Sequence, residues 1–340
     1  MQKRQVLFGF IILVIGFIGG FLSDRITTQG ISTQANVRGS IIRGTSEEFT
    51  APILACEVAV KGSFRELKPT EDALTTFISR ALSERHVQDI SVYLRTLNSG
   101  RWIGINEETK YIPASLFKTI IMIGYLKVAE ETPGIFVQKL IYNGSSFIEE
   151  IPRANKAGGL VVGEAYSIEE LIRRMIVYSS NPALDLLLSH ADARIIEAIE
   201  KTRIDLKIPL QITNQEDALD IMTPEQYSMV FRVLYGATYL NQEMSELALK
   251  LLSETDFREG IVAGVPENIT IAHKFGARSS SQESHGKIIH ELHDCGIIYY
   301  PKHPYLLCVM TQGEDFNSLA KTVQEISRIA YASLDEFFED

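Results

Sequence analysis

Cysteine is scarce in this chain of 340 residues. There are three, Cys56, Cys295 and Cys308, an odd count with no C-x-x-C pair and no zinc-type spacing. That argues against a disulfide-stapled miniature fold or a thiolate metal site. Cys295 and Cys308 fall on the two arms of an expected hairpin and read as packed core thiols, although an export compartment would permit a disulfide. Positive charge is scarce too. The formal net charge is -10, and no long basic run occurs beyond the first few residues. Nucleic-acid binding needs clustered Lys and Arg, so it is excluded as a leading reading. No internal repeat recurs, and no metal or organic cofactor is implied. What remains is a chain 45% hydrophobic and 22% charged, able to bury the core of one large domain or two small ones.

Long apolar runs are absent except at the start. Lys3 and Arg4 precede Val6 to Leu22, "VLFGFIILVIGFIGGFL". At helical rise this run reaches roughly 25 Å, enough for a bilayer core. The flanking positive charge places the N-terminus inside and the rest outside. A cleavable signal peptide would want a shorter apolar stretch and a small-x-small site, and "GFLSDR" offers none. Residues 1–22 are therefore expected to be an uncleaved membrane anchor, with the remainder on the extracytoplasmic side of the membrane. Residues 23–68 are rich in Gly, Ser, Thr, Gln and Arg near their start and read as a flexible spacer. The folded domain is expected over 69–340.

Within it, "PTEDALTTFISRALSERH" carries Leu74, Phe77, Ile78, Ala81 and Leu82 at helical spacing. "DISVYLRTL" and "RWIGINE", parted by "NSG", read as a hairpin. A mostly helical block follows. Ser167-x-x-Glu170 predicts one helix start, and Thr223, Pro224 and Gln226 predict another. Asn181-Pro182 predicts a break between helices. Strands return in "ITIAHKFGA", "KIIHELHDCGIIYY" and "YLLCVMTQ", and a last helix runs from Ser318. Strands from both ends of the domain can pair in one sheet flanked by the first and last helices. This gives an α/β lobe over 69–112 and 265–340, and an all-α lobe over 113–264.

The chemistry centres on serine and lysine. S-x-x-K occurs three times: Ser115-Lys118, Ser284-Lys287 and Ser318-Lys321. The second lies in a polar loop and the third on a polar helix. Ser115 alone opens an apolar run, "SLFKTIIMIGYLK". In the first helical turn Ser115 sits at the positive dipole end. Lys118, one turn deeper and desolvated, would have a lowered pKa and could serve as a base. A capped core helix with a snorkelling lysine is the structural alternative. Ser179 and Asn181 in "YSSNPA", and Lys274 and Gly276 in "AHKFGA", are each weak signals alone. The first pair are common helix-capping types. Lysine at a strand end commonly guards the edge, and a glycine there admits close backbone approach.

Together, S-x-x-K, S-x-N and K-x-G in this order resemble the class A β-lactamase-like family of penicillin-recognising serine hydrolases. The resemblance runs from about Pro69 to the C-terminus. It implies a two-lobed serine β-lactamase/D,D-peptidase-like fold, an antiparallel sheet with flanking N- and C-terminal helices plus an all-α lobe. It further implies that Ser115 is acylated and Lys118 activates it. Ser179 would pass a proton to the leaving nitrogen, and Lys274 would place positive charge near Ser179 and the substrate carboxylate. Asn181 would bind the substrate's amide, Gly276 would admit its backbone, and the N–H groups of Ser115 and Ala277 would form the oxyanion hole. The implied partner is a small β-lactam or a cell-wall peptide. The implied activity is hydrolysis through an acyl-serine. A D,D-peptidase and a non-catalytic peptide-binding domain are the alternatives. Three positions depart from the family pattern. Ser180 stands where an aspartate is usual. Phe275 stands where a hydroxyl helps hold the substrate carboxylate. Glu216, the candidate for the family's deacylating glutamate, lies only seven residues before Thr223.

Overall fold

The computed structural model describes residues 41–42, 48–51, 53–54, 64–84, 87–144, 158–209, 222–282 and 287–339. The apolar run of residues 6–22, Cys56 and Glu216 lie outside them. Among the described residues no helix is long and apolar enough to cross a membrane.

The elements follow the expected order. Helix α1 (Lys68–Ser83) leads to strand β1 (Val87–Thr96) and strand β2 (Trp102–Ile105). A single 3-10 turn, Ala114–Phe117, runs into α2 (Lys118–Glu131). Two short strands, β3 (Lys139–Ile141) and β4 (Ala165–Ser167), pair antiparallel. The helical lobe continues with α3 (Ile168–Val177), α4 (Asn181–Ser189), α5 (Ala193–Asp205), α6 (Pro224–Tyr235) and α7 (Gln242–Ser253). Strands β5 (Ile271–Gln282), β6 (Lys287–Ile298) and β7 (Tyr305–Gly313) then precede α8 (Phe316–Glu339). Among the described residues, five strands form one antiparallel sheet in the order β2-β1-β7-β6-β5. Strands from both ends of the domain thus share one sheet, with β2 and β5 at its two edges.

Two apolar clusters cover the two faces of the sheet. Behind it, Leu74 and Ile78 of α1 and Leu319, Val323 and Ile326 of α8 pack with Val92, Leu307 and Val309. In front, α2 is the hub. Its residues from Lys118 to Leu126 are all buried, as its all-round apolar sequence requires. The caps account for the helix starts. Ser167 accepts from Glu170 N at the head of α3, and Thr223 and Gln226 form a reciprocal capping box on α6. The break at Asn181-Pro182 falls slightly earlier than the proline. Helix α3 stops at Val177, and Pro182 sits in the first turn of α4, where its missing N–H costs nothing.

Two features depart from the sequence expectation. Phe49, Thr50 and Ala51, inside the stretch read as spacer, are buried. The Glu246 carboxylate of α7 accepts from the N–H groups of Phe49 and Thr50 at 2.8 and 3.0 Å, and Ala51 N donates to Tyr235 O. Phe49 also meets the Tyr299 ring edge to face. A short strap upstream of Pro69 is therefore part of the folded domain.

Cys295 and Cys308 are bonded as a disulfide rather than packed as thiols. They are direct cross-strand partners on β6 and β7, which brings their Cβ atoms within bonding range. The bridge closes a sequence separation of 13 residues, a loop length that corresponds to about 3 kcal/mol of chain entropy. Changing both cysteines to alanine is expected to lower the unfolding free energy by about that amount. Urea melts without reductant check this, and an unchanged midpoint would show that the bridge contributes nothing.

Candidate active site

The three motifs converge where α2, α4 and the edge strand β5 meet. The nucleophile turn is reached through strained backbone. Ala114, just before Ser115, has φ 49°, and Ser179 has φ 56°. Neither is glycine, so each conformation carries a cost that neighbouring structure must overcome. For Ala114–Phe117 that structure is visible. His293 Nε2 of β6 donates to Ile112 O at 3.0 Å, and Tyr227 Oη of α6 donates to Leu116 O at 3.1 Å. Tyr111 and Met222 exchange both backbone hydrogen bonds. The strap of chain that presents Ser115 is thus tied on both sides.

Gly276 lets β5 close on that turn. A Cβ at this position would lie 2.6 Å from Pro113 O and 3.2 Å from Leu116 N. The glycine expected to admit substrate backbone therefore first admits the nucleophile turn. Ala277, the expected oxyanion donor on β5, follows it directly and is buried with the rear cluster. Ser180, at the position where the sequence pattern expects an aspartate, has a local structural task. Its hydroxyl accepts from Ala183 N and caps α4.

Lys118 is only 2% exposed. Its Nζ donates to Ser179 O, to Asn181 Oδ1 at 2.6 Å and to Ser179 Oγ at 3.3 Å. Burial first, and the nearby Lys274 charge second, hold its pKa well below the ordinary lysine value, while Asp185 acts the other way. Lys274 Nζ donates to Ser179 Oγ at 3.0 Å and to Phe275 O at 2.8 Å. Burial lowers its pKa to about 7, opposed by the Asp294 carboxylate. Ser179 Oγ therefore sits between two lysines. Ser115 is buried as well, at 6% exposure, but among the described residues its Oγ has no hydrogen bond to Lys118. The two share a helical face one turn apart, and such contacts commonly tighten only when substrate binds. Of the other S-x-x-K copies, Lys321 is exposed and Ser284 lies outside the described residues.

Several residues of the site carried no sequence signal. His293 and Tyr227 hold the nucleophile turn, yet an isolated core His or Tyr has no motif. Asp294 accepts from His273 Nδ1 at 2.8 Å and from Ile261 N at 2.9 Å, buried beneath the strand that carries Lys274. Only its cross-strand position opposite Phe275 places it there.

The depressed lysine pKa has a thermodynamic signature. For Lys274 the folded value, about 7, lies below its ordinary 10.5. Between those limits the unfolded chain binds more protons than the native one, so this group makes stability rise with pH across that window. Below about pH 7 the penalty for burying the ammonium is fully present. Urea melts at pH 7, 8 and 9 should show a smaller rise for Lys274→Met than for wild type. Equal slopes would mean that Lys274 keeps an ordinary pKa.

A family model described as the beta-lactamase enzyme family matches residues 73–334. A beta-lactamase of Streptomyces lavendulae is 23% identical over 252 residues, covering 69% of this chain and 77% of that protein. Among solved structures, PBP-A superposes with a TM-score of 0.64 at 17% identity, covering 79% of this chain and 97% of that one. A class A beta-lactamase from Mycobacterium abscessus superposes with a TM-score of 0.62 at 21% identity, covering 78% and 99%. A mutant of PBP-A has also been seen as an acyl-enzyme complex with penicillin G. At these identities the structural likenesses establish the two-lobed fold.

Proposed function

Because this chain belongs to the beta-lactamase enzyme family, we propose that it is a class A-like serine hydrolase that cleaves a β-lactam or related amide through an acyl-enzyme at Ser115. The observation that carries this reading is the buried network Lys118–Ser179–Asn181–Lys274 beside Ser115.

In the proposed cycle Ser115 Oγ attacks the scissile carbonyl as its proton passes to the neutral amine of Lys118. The bond from carbonyl carbon to leaving nitrogen breaks. That nitrogen takes a proton from Ser179 Oγ, which is resupplied from the lysines it contacts. The N–H groups of Ser115 and Ala277 hold the developing oxyanion. Asn181 orients the acyl side chain's amide, and Gly276 admits substrate backbone beside β5. Water then hydrolyses the ester and restores Ser115. The natural donor in this reading is a small β-lactam or a cell-wall peptide.

We place the domain outside the cytoplasmic membrane, tethered by residues 6–22. Lys3 and Arg4 before that run support this orientation. The Cys295–Cys308 disulfide supports an oxidising compartment.

The test uses the full chain in detergent, wild type and Ser115→Ala, incubated with millimolar benzylpenicillin and, separately, with a neutral p-nitrophenyl ester. Intact mass and product release are followed. A Ser115-dependent adduct or turnover supports the reading. A long-lived penicillin adduct assigns the D,D-peptidase type, and rapid turnover the lactamase type. Absence of any Ser115-dependent product from both donors refutes the acyl-enzyme mechanism and leaves a peptide-binding domain.

A further inference from the structure

The third motif differs from its family pattern at one residue, and the geometry around that residue bears on what can leave. Lys274 is fully buried, with 0% exposure. Two of its donors go to Ser179 Oγ and Phe275 O. The Phe275 ring closes another side of the ammonium, with its centroid 4.4 Å from Nζ. That ring does not swing freely. It is 4% exposed and stacks on Phe257 at 4.3 Å, within the rear cluster. The aromatic face therefore takes the place of a hydroxyl donor and shields the lysine that a substrate carboxylate would need to reach.

Among the described residues, the sheet face that carries Lys274 holds no hydroxyl beside it that could take over. Cross-strand partners share a face. Lys274, Gly276 and Arg278 of β5 therefore lie on one side with Cys295, His293 and Glu291 of β6. Arg278 is held by Glu291 at 3.5 Å, so part of its guanidinium is already engaged. His293 is neutral at pH 7, because burial lowers its pKa to about 4, and its Nε2–H is given to Ile112 O.

We propose that this site selects acyl donors whose leaving group is uncharged: neutral esters or amides with no carboxylate beside the bond that breaks. This rests on the acyl-enzyme reading above and keeps only its neutral esters and amides: a penicillin or a cell-wall peptide ending in a carboxylate carries that charge beside the bond that breaks and becomes a disfavoured donor. For an ester donor the step balances simply. Ser115 Oγ bonds to the carbonyl carbon, the bond to the leaving oxygen breaks, and the proton of Ser115 reaches that oxygen through Lys118 and Ser179. A water molecule then releases the acid. A carboxylated leaving group would bring its charge to a strand position that has lost its hydroxyl donor, beside a lysine already enclosed by Ser179 Oγ, Phe275 O and the Phe275 ring, and a charge left without partners in a buried site is costly.

A matched pair of donors tests this on the full chain in detergent. One is a depsipeptide whose leaving group is a 2-hydroxy acid. The other is the same depsipeptide with that carboxylate converted to the primary amide. The expected result is a kcat/KM for the amide form at least about tenfold above the carboxylate form. In Phe275→Thr, which supplies a hydroxyl, that ratio should fall by about tenfold or reverse. A wild-type preference for the carboxylate form, or equal rates, overturns the proposal. The wild-type pair decides this alone if the variant does not fold. If neither form acylates Ser115, the acyl-enzyme reading itself falls, and this selectivity with it.

Discussion

Lys118→Met is expected to slow acylation of Ser115 by about 10²- to 10⁴-fold while the chain still folds. Methionine matches the length and bulk of the buried stem and suits an apolar site. What it removes is the amine. In wild type that amine is almost fully buried among helices, with a lowered pKa, so giving up a proton to expose its lone pair costs less than for an ordinary lysine. The substitution removes the Lys118 donor from Asn181 Oδ1 and Ser179 O, at a cost of about 0.5–3 kcal/mol each. It also removes the penalty of burying an ionisable group. These effects oppose each other, so the melting temperature should move little compared with the rate. A time course of adduct mass, beside a thermal melt, checks both. Acylation at the wild-type rate would remove Lys118 from the proton path.

Gly276→Ala should produce a loss of comparable size by a different route. Its φ is not in the left-handed region, so alanine brings no backbone strain. The obstacle is steric. The new Cβ would meet Pro113 O at 2.6 Å and Leu116 Cγ at 3.1 Å, and Pro113 O is backbone. The turn cannot retreat freely, because His293 ties it to the sheet beside Gly276 and Tyr227 ties it to α6. Either β5 or the turn must shift by a few tenths of an ångström or more. A displacement near 1 Å in a site of this kind costs about 10²-fold in rate. The overpacking should cost about 1–3 kcal/mol of stability. The split is diagnostic: denaturant melts should show a folded protein, and single-turnover acylation should show the larger defect. Wild-type acylation in this variant would mean that the contact between turn and strand does not set the nucleophile.

Much of the architecture was legible from local patterns. The all-round apolar run after Ser115 announced a buried helix, and Thr223-Pro224-x-Gln226 announced a capped one. The order of hairpin, helical block and returning strands implied a sheet built from both chain ends. The three motifs were legible as residue types. Their meeting at Ser179 depends on contacts spanning 61 and 95 positions, which no window reveals. Other features depend on partners that the local sequence does not name. Glu246 reaches back almost two hundred residues to grip Phe49 and Thr50. The cysteine bridge follows from strand register, since Lys274, Cys295, Cys308 and Tyr93 occupy one lateral row across the sheet. Phe275 could be read as a missing hydroxyl. That its ring, wedged against Phe257, also lids Lys274 required the rear core to be known.

The buried strap at Phe49–Ala51 has a mechanical corollary. If residues upstream are tethered, any tension in the tether enters the folded domain at these three residues. It is passed to the Glu246 carboxylate of α7 and to Tyr235 at the end of α6, while the Tyr299 hydroxyl donates to Phe49 O. Helix α7 packs directly on β5, and Tyr299 N donates to Thr270 O at the head of β5, so this load path leads to the strand that carries Lys274. A pull on the strap would therefore be felt at the strand that positions one of the two lysines around Ser179.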